Sequence, residues 1–480
     1  MPSCGGEEGI VGHRNDELER RKQAVRWHRD GMSYTEICRR LGRSRPWLAK
    51  WLRRSRADPR HGLLDRSRRP HCVRRPVSPT LAARIVALRI ELEAHQTPRT
   101  RFRGVGAVDI QELLRDERRR VIPSISTIER ILRTHGYRRR PRRRVPSSMP
   151  YPWPRATEPG DLQQTDLVGP RHLRGRRGPI RFYSIHTIAL VGRGVWASQH
   201  RHKTSEAFCA HFVGAWRWLG VPQVSQLDNE MAATGGGRHR FGLSAVARLH
   251  LLVGTHLLFV PPGEPGRNPV VESFNHVWQE RVLREYHPDL RHLRRASTGH
   301  WRFYHCRKAH RALTVKADGT RFPGEWLRLH RDALRWLPAD FTVERYHGRR
   351  SQLPVAAGRV SWVQRVNADG TISINGRPYF IGKRRTGEYV QATLFTHRQR
   401  VVIYSAHHRR LKHFPFPVPG EVVRPVLCNP ACGNCRCCAS KGRSHSTLEN
   451  AGERVFHSSH KALSSSRSRL VNDVLKVALH

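Results

Sequence analysis

Leu162-Gln-Gln-Thr-Asp-Leu-Val168 decides the reading of this chain, because it has the length and residue types of a β-strand yet carries an acidic residue in its interior. An aspartate inside a strand is a poor choice for solubility alone, which makes Asp166 a candidate for chemistry. Working outward, Arg174 to Gly178 reads as a hairpin turn, Ile180 to Val191 as a second strand and Gly194 to Ser198 as a third. A helix opens at Thr204, with Phe208, Phe212, Ala215, Trp216 and Leu219 at helical spacing, and closes at Gly220. Gln223-Val-Ser-Gln-Leu-Asp228 is a fourth strand ending at a second acidic residue.

Three antiparallel strands, a helix and a further strand is the order of a ribonuclease-H-like α/β core, although other α/β folds share so coarse a pattern. Residues 151–300 contain eleven carboxylates, so few residues compete for a catalytic role. A third candidate is Glu272 in Asn268-Pro-Val-Val-Glu-Ser-Phe-Asn275, where Pro269 suits the first turn of a helix and places the carboxylate near its positive end. Phe274, Val277, Trp278 and Val282 continue a buried face from there. Sixty-one residues separate the aspartates and forty-three separate Asp228 from Glu272.

Breaking or joining a phosphodiester in line calls for one metal ion to activate the attacking oxygen and another to hold the leaving oxygen, roughly 3.5 to 4 Å apart. Mg²⁺ takes hard oxygen ligands, so two aspartates and a glutamate converging from two strands and a helix suffice. Without metal they repel one another, which makes such a cluster a poor structural ornament. On spacing alone, the alternative that one of the three is a surface cap stays open.

Toward the N-terminus, a helix from Asp16 to Arg29 precedes Ser33-Tyr-Thr-Glu-Ile-Cys-Arg-Arg-Leu41, a Gly42 turn and Ser44-Arg-Pro-Trp-Leu-Ala-Lys-Trp-Leu-Arg-Arg54. This is a helix-turn-helix pattern, with Ser44 as the expected cap and Trp47, Leu48, Trp51 and Leu52 facing inward. Arg45, Lys50, Arg53 and Arg54 remain outside as DNA-contact candidates. A plain three-helix bundle is the alternative. A second helical unit follows: Ser78 opens a helix with Leu81, Ile85, Leu88 and Leu92 on one face, Leu113 and Leu114 mark another, and Ser124 to Gly136 forms a third. Tyr137 to Arg144, including Arg138, Arg139 and Arg140, reads as a basic linker able to lie along a phosphate backbone.

Charge supports a polyanionic partner. The 480 residues carry 88 Lys and Arg against 38 Asp and Glu, a formal charge of +50. Basic residues outnumber acidic ones by 37 to 16 over residues 1–150, 19 to 11 over 151–300 and 32 to 11 over 301–480, so two strongly basic flanks enclose a milder centre. Such an excess repels itself unless neutralised, and counterion release from double-stranded DNA recovers that cost. A solvated or membrane-surface basic face is the bland alternative. No stretch approaches the roughly 18 to 20 apolar residues of a bilayer span, and the N-terminal residues lack the basic and apolar regions of a signal peptide, so the expectation is a soluble protein with no membrane partner. Scattered cysteines fit a reducing compartment.

Beyond the core, Gly358 to Val366, Thr371 to Ile374, Tyr379 to Gly382, Tyr389 to Phe395 and Arg400 to Tyr404 predict a small five-stranded β-barrel, with hairpin signals at Asp369-Gly370 and Asn375-Gly376. Its Arg359, Arg365, Lys383, Arg384 and Arg385 suit DNA contact. Gly235-Gly-Gly237, with Arg238 and Arg240, lies beside the presumed site as either a strand-engaging loop or a surface insertion. Cys428, Cys432, Cys435, Cys437 and Cys438 supply enough sulfur for Zn²⁺ but lack the paired C-x2-C halves of a standard finger, and the residues after them read as disordered.

From about residue 15 to 405 the chain resembles insertion-sequence transposases with a retroviral-integrase-type, Asp-Asp-Glu catalytic core. The matching stretches are Gly62 to Pro70, Ser126 to Gly136, Gln164-Thr-Asp166, Gln226-Leu-Asp-Asn-Glu230 and Phe259 to Asn275. The resemblance implies that Asp166, Asp228 and Glu272 bind Mg²⁺ or Mn²⁺, and that the protein cuts transposon ends and joins them to target DNA as a homo-multimer. It also implies a bacterial mobile element acting in the cytoplasm at the nucleoid. Two departures stand out: Pro269 and Val270 occupy positions where glycine is usual, and His186 stands where the family usually has another aspartate. The expected Tyr-Asn-x-x-Arg-Pro-His stretch survives only as Tyr304-His-Cys-Arg-Lys-Ala-His310.

The expected organisation is therefore a helix-turn-helix domain at 1–60, a second such unit with its basic linker at 61–145, the catalytic core with trailing helices at 146–345, the barrel at 350–415 and a Cys-rich tail at 416–480. The alternatives are a transposase-derived DNA-binding protein that has lost catalysis and a nuclease that cuts without joining.

Overall fold

The computed structural model describes residues 8–65, 77–137, 149–175, 178–228, 241–261, 263–264, 266–314, 318–348 and 352–427. Arg138 to Arg140, the glycines 235–237 with Arg238 and Arg240, and the cysteines from 428 to 438 lie outside those residues. The chain forms two compact units, residues 1–78 and 79–480.

The first unit contains α1 (Glu8–Arg29), α2 (Tyr34–Leu41) and α3 (Arg45–Ala57). Ser33 caps α2 by accepting from the Glu36 amide, and Gly42 ends it at φ 61°, a left-handed turn that a side chain would strain. Ser44 stands at the N-cap of α3 but makes no side-chain cap bond, contrary to expectation; Pro46 in the first turn supplies part of the start signal instead. Ala24, Ile37, Leu48 and Leu52 form the core, with Trp47 only partly buried against it. Trp51 is buried under two guanidinium groups, Arg21 at 3.9 Å and Arg54 at 4.5 Å from its ring.

In the second unit, α4 (Pro79–Ala94), α5 (Ala107–Asp116) and α6 (Ile125–Thr134) bury Ile85, Leu88, Leu92, Ile110, Leu113, Leu114 and Ile128. Ser124 caps α6 through the Thr127 amide at 3.2 Å. Ion pairs between Asp109 and Lys308 (2.7 Å) and between Glu112 and Arg321 (2.9 Å) tie these helices to later residues of the same unit.

The remaining strands are β1 (Leu162–Gly175), β2 (Gly178–Ala189), β3 (Val195–His200), β4 (Val224–Leu227), β5 (His256–Phe259), β6 (Val355–Ala356), β7 (Arg359–Arg365), β8 (Thr371–Ile374), β9 (Arg377–Phe380), β10 (Tyr389–Phe395), β11 (Arg400–Ser405), β12 (Arg410–Pro415) and β13 (Val422–Val423). The core helices are α7 (Ser205–Leu219), α8 (Ala245–Leu252), α9 (Pro269–Trp278) and α10 (Leu290–Cys306). β1 pairs antiparallel with β2 and β2 with β3, while β4 lies parallel to β1 and β5 parallel to β4. The antiparallel β1–β2–β3 run, α7 and β4 follow the chain order expected of the central core, whereas β5 and the parallel pairings of β4 and β5 were not foreseen.

Period-two alternation divides the sheet's side chains between two faces. Phe212, Trp216, Val246 and Leu249 of α7 and α8 pack with Ile185 and Leu227 on one side. On the other, Val271, Phe274 and Trp278 of α9 pack with Val168, Phe182 and Ile188.

The five-stranded barrel expected over 350–415 is not what the pairings build. β7 pairs parallel with β5, and β10, β11 and the unforeseen β12 follow antiparallel, so the order β12-β11-β10-β7-β5-β4-β1-β2-β3 makes one nine-stranded sheet. β8 and β9 form a separate hairpin through Asn375 and Gly376, both at positive φ. The reason is the otherwise free edge of β5. Trp362 stacks on Phe259 at 6.0 Å, and His256 Nε2 lies 2.7 Å from Ser361 Oγ, so β7 completes that edge with apolar and polar contacts. Among the described residues no helix is long and apolar enough to cross a membrane.

Burial holds several histidines uncharged. His186, His250 and His305 are pushed down to about 4, and His256, His300 and His310 to about 3, each chiefly through loss of water. The unfolded chain protonates these groups near 6.5, so their full contribution to stability is present above that pH and is lost as pH falls toward 4, at about 1.4 kcal/mol per pH unit per group. Urea unfolding followed from pH 7.5 to 5 is expected to show stability falling progressively below about pH 6.5. A flat profile over that interval would contradict the buried-neutral assignment.

Candidate active site

Asp166 and Asp228 come together through strand register. Thr165 pairs with Leu227 across the parallel β1–β4 ladder, so the next residue on each strand is one of the two aspartates. Asp228 is exposed, whereas Asp166 is mostly enclosed. Its carboxyl is pushed up to about 6, first by loss of water and then by the charges of Asp228 and Glu272; hydrogen bonds from the Leu167 amide (2.8 Å) and Asn275 Nδ2 (2.6 Å) act in the opposite direction. Between about pH 4 and 6 the folded state keeps a proton that the unfolded state has released, so this one group costs stability as pH rises, against the trend of the histidines.

Glu272 lies in the first turn of α9, with Pro269 at its start. Its carboxylate accepts from the Gly266 amide at 2.9 and 3.1 Å. Asn275 is three residues along on the same helical face and reaches Asp166. The three carboxylates thus act on a common region. Among the described residues, however, no three acidic, histidine or cysteine side chains are close enough to share an ion.

The start of α9 is clamped by two glutamines that the sequence reading did not single out. Gln164 and Gln226 are cross-strand partners, each two residues before an aspartate and therefore on the same sheet face as it. Gln226 Nε2 donates to the Arg267 carbonyl (2.8 Å) and to Asn268 Oδ1 (2.6 Å), while Gln164 Oε1 accepts from the Val270 amide (3.2 Å). The signal was present as a repeated Gln-x-Asp. Arg267 is further held by Glu264 at 2.9 Å, and its guanidinium lies 3.9 Å from the Tyr151 ring and 4.9 Å from that of Tyr389.

The DNA-contact candidates separate. Arg45, Lys50 and Arg53 are exposed on α3, where Arg56, absent from the sequence prediction, shares their face. Arg45 donates to Thr35 Oγ1 at 2.6 Å. Arg54 is turned inward, donating to the Leu64 carbonyl at 2.7 Å while covering Trp51. Its geometry is that of an internal strut.

Comparison with known proteins bears first on the N-terminal unit. Residues 15–63 match the homeodomain-like domain family. Among solved structures, the chain is similar to a simian T-cell lymphotropic virus intasome determined with PP2A regulatory subunit B56 gamma, at 14% identity and TM-score 0.30, over 64% of this chain and 92% of that one. It is also similar to the HTLV-2 integrase catalytic core in complex with magnesium, at 17% identity and TM-score 0.26, over 33% and 94% of the two chains. The BIV integrase catalytic core gives 14% identity and TM-score 0.26 over 36% and 97%.

The clamp makes a separable prediction. Gln226→Leu leaves the Arg267 carbonyl and the Asn268 side chain without their donor and is expected to cost about 1–3 kcal/mol in urea unfolding. Combined with Asn268→Ala, the loss should be smaller than the sum by at least about 0.5 kcal/mol. Strict additivity would refute the clamp.

Proposed function

We propose that the chain is a transposase of the integrase type, which binds DNA and performs metal-dependent cleavage and strand transfer with Asp166, Asp228 and Glu272 as its carboxylate triad. The observation that carries this reading is the Asp166 carboxyl, enclosed within β1 where the parallel pairing with β4 ends and pushed up to about 6, with Asp228 and Glu272 adding to the burial effect. Fold stability alone is better served there by a neutral residue.

The donor set fits Mg²⁺ or Mn²⁺: hard carboxylate oxygens from two strands and a helix, whose repulsion a cation relieves. When bound, such ions activate the attacking oxygen and steady the leaving one. The chain's own residues do the rest. Asn275 aims Asp166, the β1–β4 register sets Asp228 beside it, and Gln164 and Gln226 hold the start of the helix that carries Glu272. Glu272 leaves the Gly266 amide to join the aspartates.

Exposed Arg45, Lys50 and Arg53 of α3, with Arg56, read DNA in this account, and Arg138, Arg139 and Arg140 neutralise phosphates. Acting on two transposon ends and a target requires a homo-multimer. The second reading, a DNA-binding protein without chemistry, draws on Glu272 resting on Gly266 instead of with the aspartates.

Purified protein incubated with DNA carrying both flanks of its gene, in Mn²⁺ or Mg²⁺, is expected to give nicked and joined products. Glu272→Gln should bind the same DNA within about twofold and lower product formation by at least about 100-fold. Binding without cutting by the wild type would select the DNA-binding reading, and equal activity of the variant would remove Glu272 from the site.

A further inference from the structure

His186 lies directly across the β1–β2 ladder from Asp166 and points to the same face of the sheet. It is fully buried, as is Ser184 two residues earlier, while Gln199 and Asn275 are 4% and 5% exposed. These four side chains form a continuous file. Gln199 Nε2 lies 3.0 Å from Ser184 Oγ, Ser184 Oγ 2.7 Å from His186 Nε2, His186 Nδ1 2.6 Å from Asn275 Oδ1, and Asn275 Nδ2 2.6 Å from Asp166 Oδ2. Phe274 and Trp278 close edge-on against the imidazole, their ring centres 5.2 and 4.8 Å away, and fix its plane.

Counting protons gives the file one direction. An ionised carboxylate has nothing to donate, so Asn275 must present its amide N–H to Asp166 and its carbonyl oxygen to His186. His186 must then carry its proton on Nδ1 and accept at Nε2. Gln199 donates to Ser184 Oγ, which leaves the single Ser184 proton for His186 Nε2. Every donor therefore points toward the carboxylate. Were residue 186 an acceptor toward Asn275, the amide would turn over and set its oxygen against Asp166.

We propose that His186 is a positioning residue for Asp166: with Ser184 and Gln199 behind it, it fixes the Asn275 amide so that the Asp166 carboxylate is oriented to receive a divalent cation. It rests on the reading of Asp166 as a metal ligand and deepens it.

The test measures Mn²⁺ affinity of the full-length protein by calorimetry, with flank-DNA binding and thermal unfolding recorded alongside. Asp166→Asn is the control and should abolish the Asp166-dependent binding. His186→Phe keeps the aromatic packing but deletes the Nδ1 donor, and is expected to weaken Mn²⁺ about 10- to 100-fold with DNA binding unchanged. His186→Asn restores an N–H near the Nδ1 position and should recover affinity to within a few-fold of wild type, a rescue that a space-filling role would not give. Ser184→Ala, which frees the tautomer with little change in volume, should weaken Mn²⁺ several-fold and serves if His186→Phe does not fold. Wild-type affinity in both His186→Phe and Ser184→Ala, with Asp166→Asn still deficient, overturns the positioning role alone. Absence of any Asp166-dependent Mn²⁺ binding in the wild type overturns the metal-site reading beneath it.

Discussion

Enclosing a carboxylate inside β1 beneath a helix costs solvation, and a small set of neighbours answers that cost at Asp166. Two hydrogen bonds, from the Leu167 amide and from Asn275, favour the charged form, while enclosure and two neighbouring acids oppose it, leaving the carboxyl raised to about 6. The balance depends on α9 lying where Asn275 can reach β1. That placement follows from Gln164 and Gln226 below its first turn and from Val271, Phe274 and Trp278 packing on the sheet.

The sheet keeps its polar work on separate faces. Gln164, Asp166, Ser184, His186, Gln199 and Gln226 share the α9 side, whereas Thr165 and Thr187 lie on the α7 side, bonded to each other, with Thr187 Oγ1 2.8 Å from His211 Nε2. A one-residue slip between β1 and β2 would exchange the two sets and leave both unsatisfied. Polar pairing thus specifies register here, alongside the apolar pattern. Extension of the sheet through β7 protects the other edge of the core and leaves β12, with exposed Arg410, Lys412 and His413, as the charged outer strand.

Local signals were the legible ones. Thr204 capping α7, Gly42 ending α2 and Pro269 starting α9 are short-range effects of single residues, and the order of core strands followed from alternation and turn chemistry. Partner choice was not legible. Residues 359–405 have strand propensity, but whether they close on themselves or join β5 depends on which edge is free in three dimensions. Arg54 read as exposed because a helical wheel does not show a guanidinium folding back over Trp51 toward the Leu64 carbonyl. His186 was visible only as a departure; its bond to Asn275 spans 89 positions and has no local pattern.

The central claim is that the carboxylates of β1, β4 and α9 converge on a divalent cation. Anomalous diffraction from crystals of the protein grown with Mn²⁺ tests it directly. A manganese peak bounded by Asp166 and Asp228 is expected, with Glu272 released from the Gly266 amide and turned toward it. A structure at saturating Mn²⁺ with no peak beside Asp166 and Glu272 still on Gly266 would contradict it.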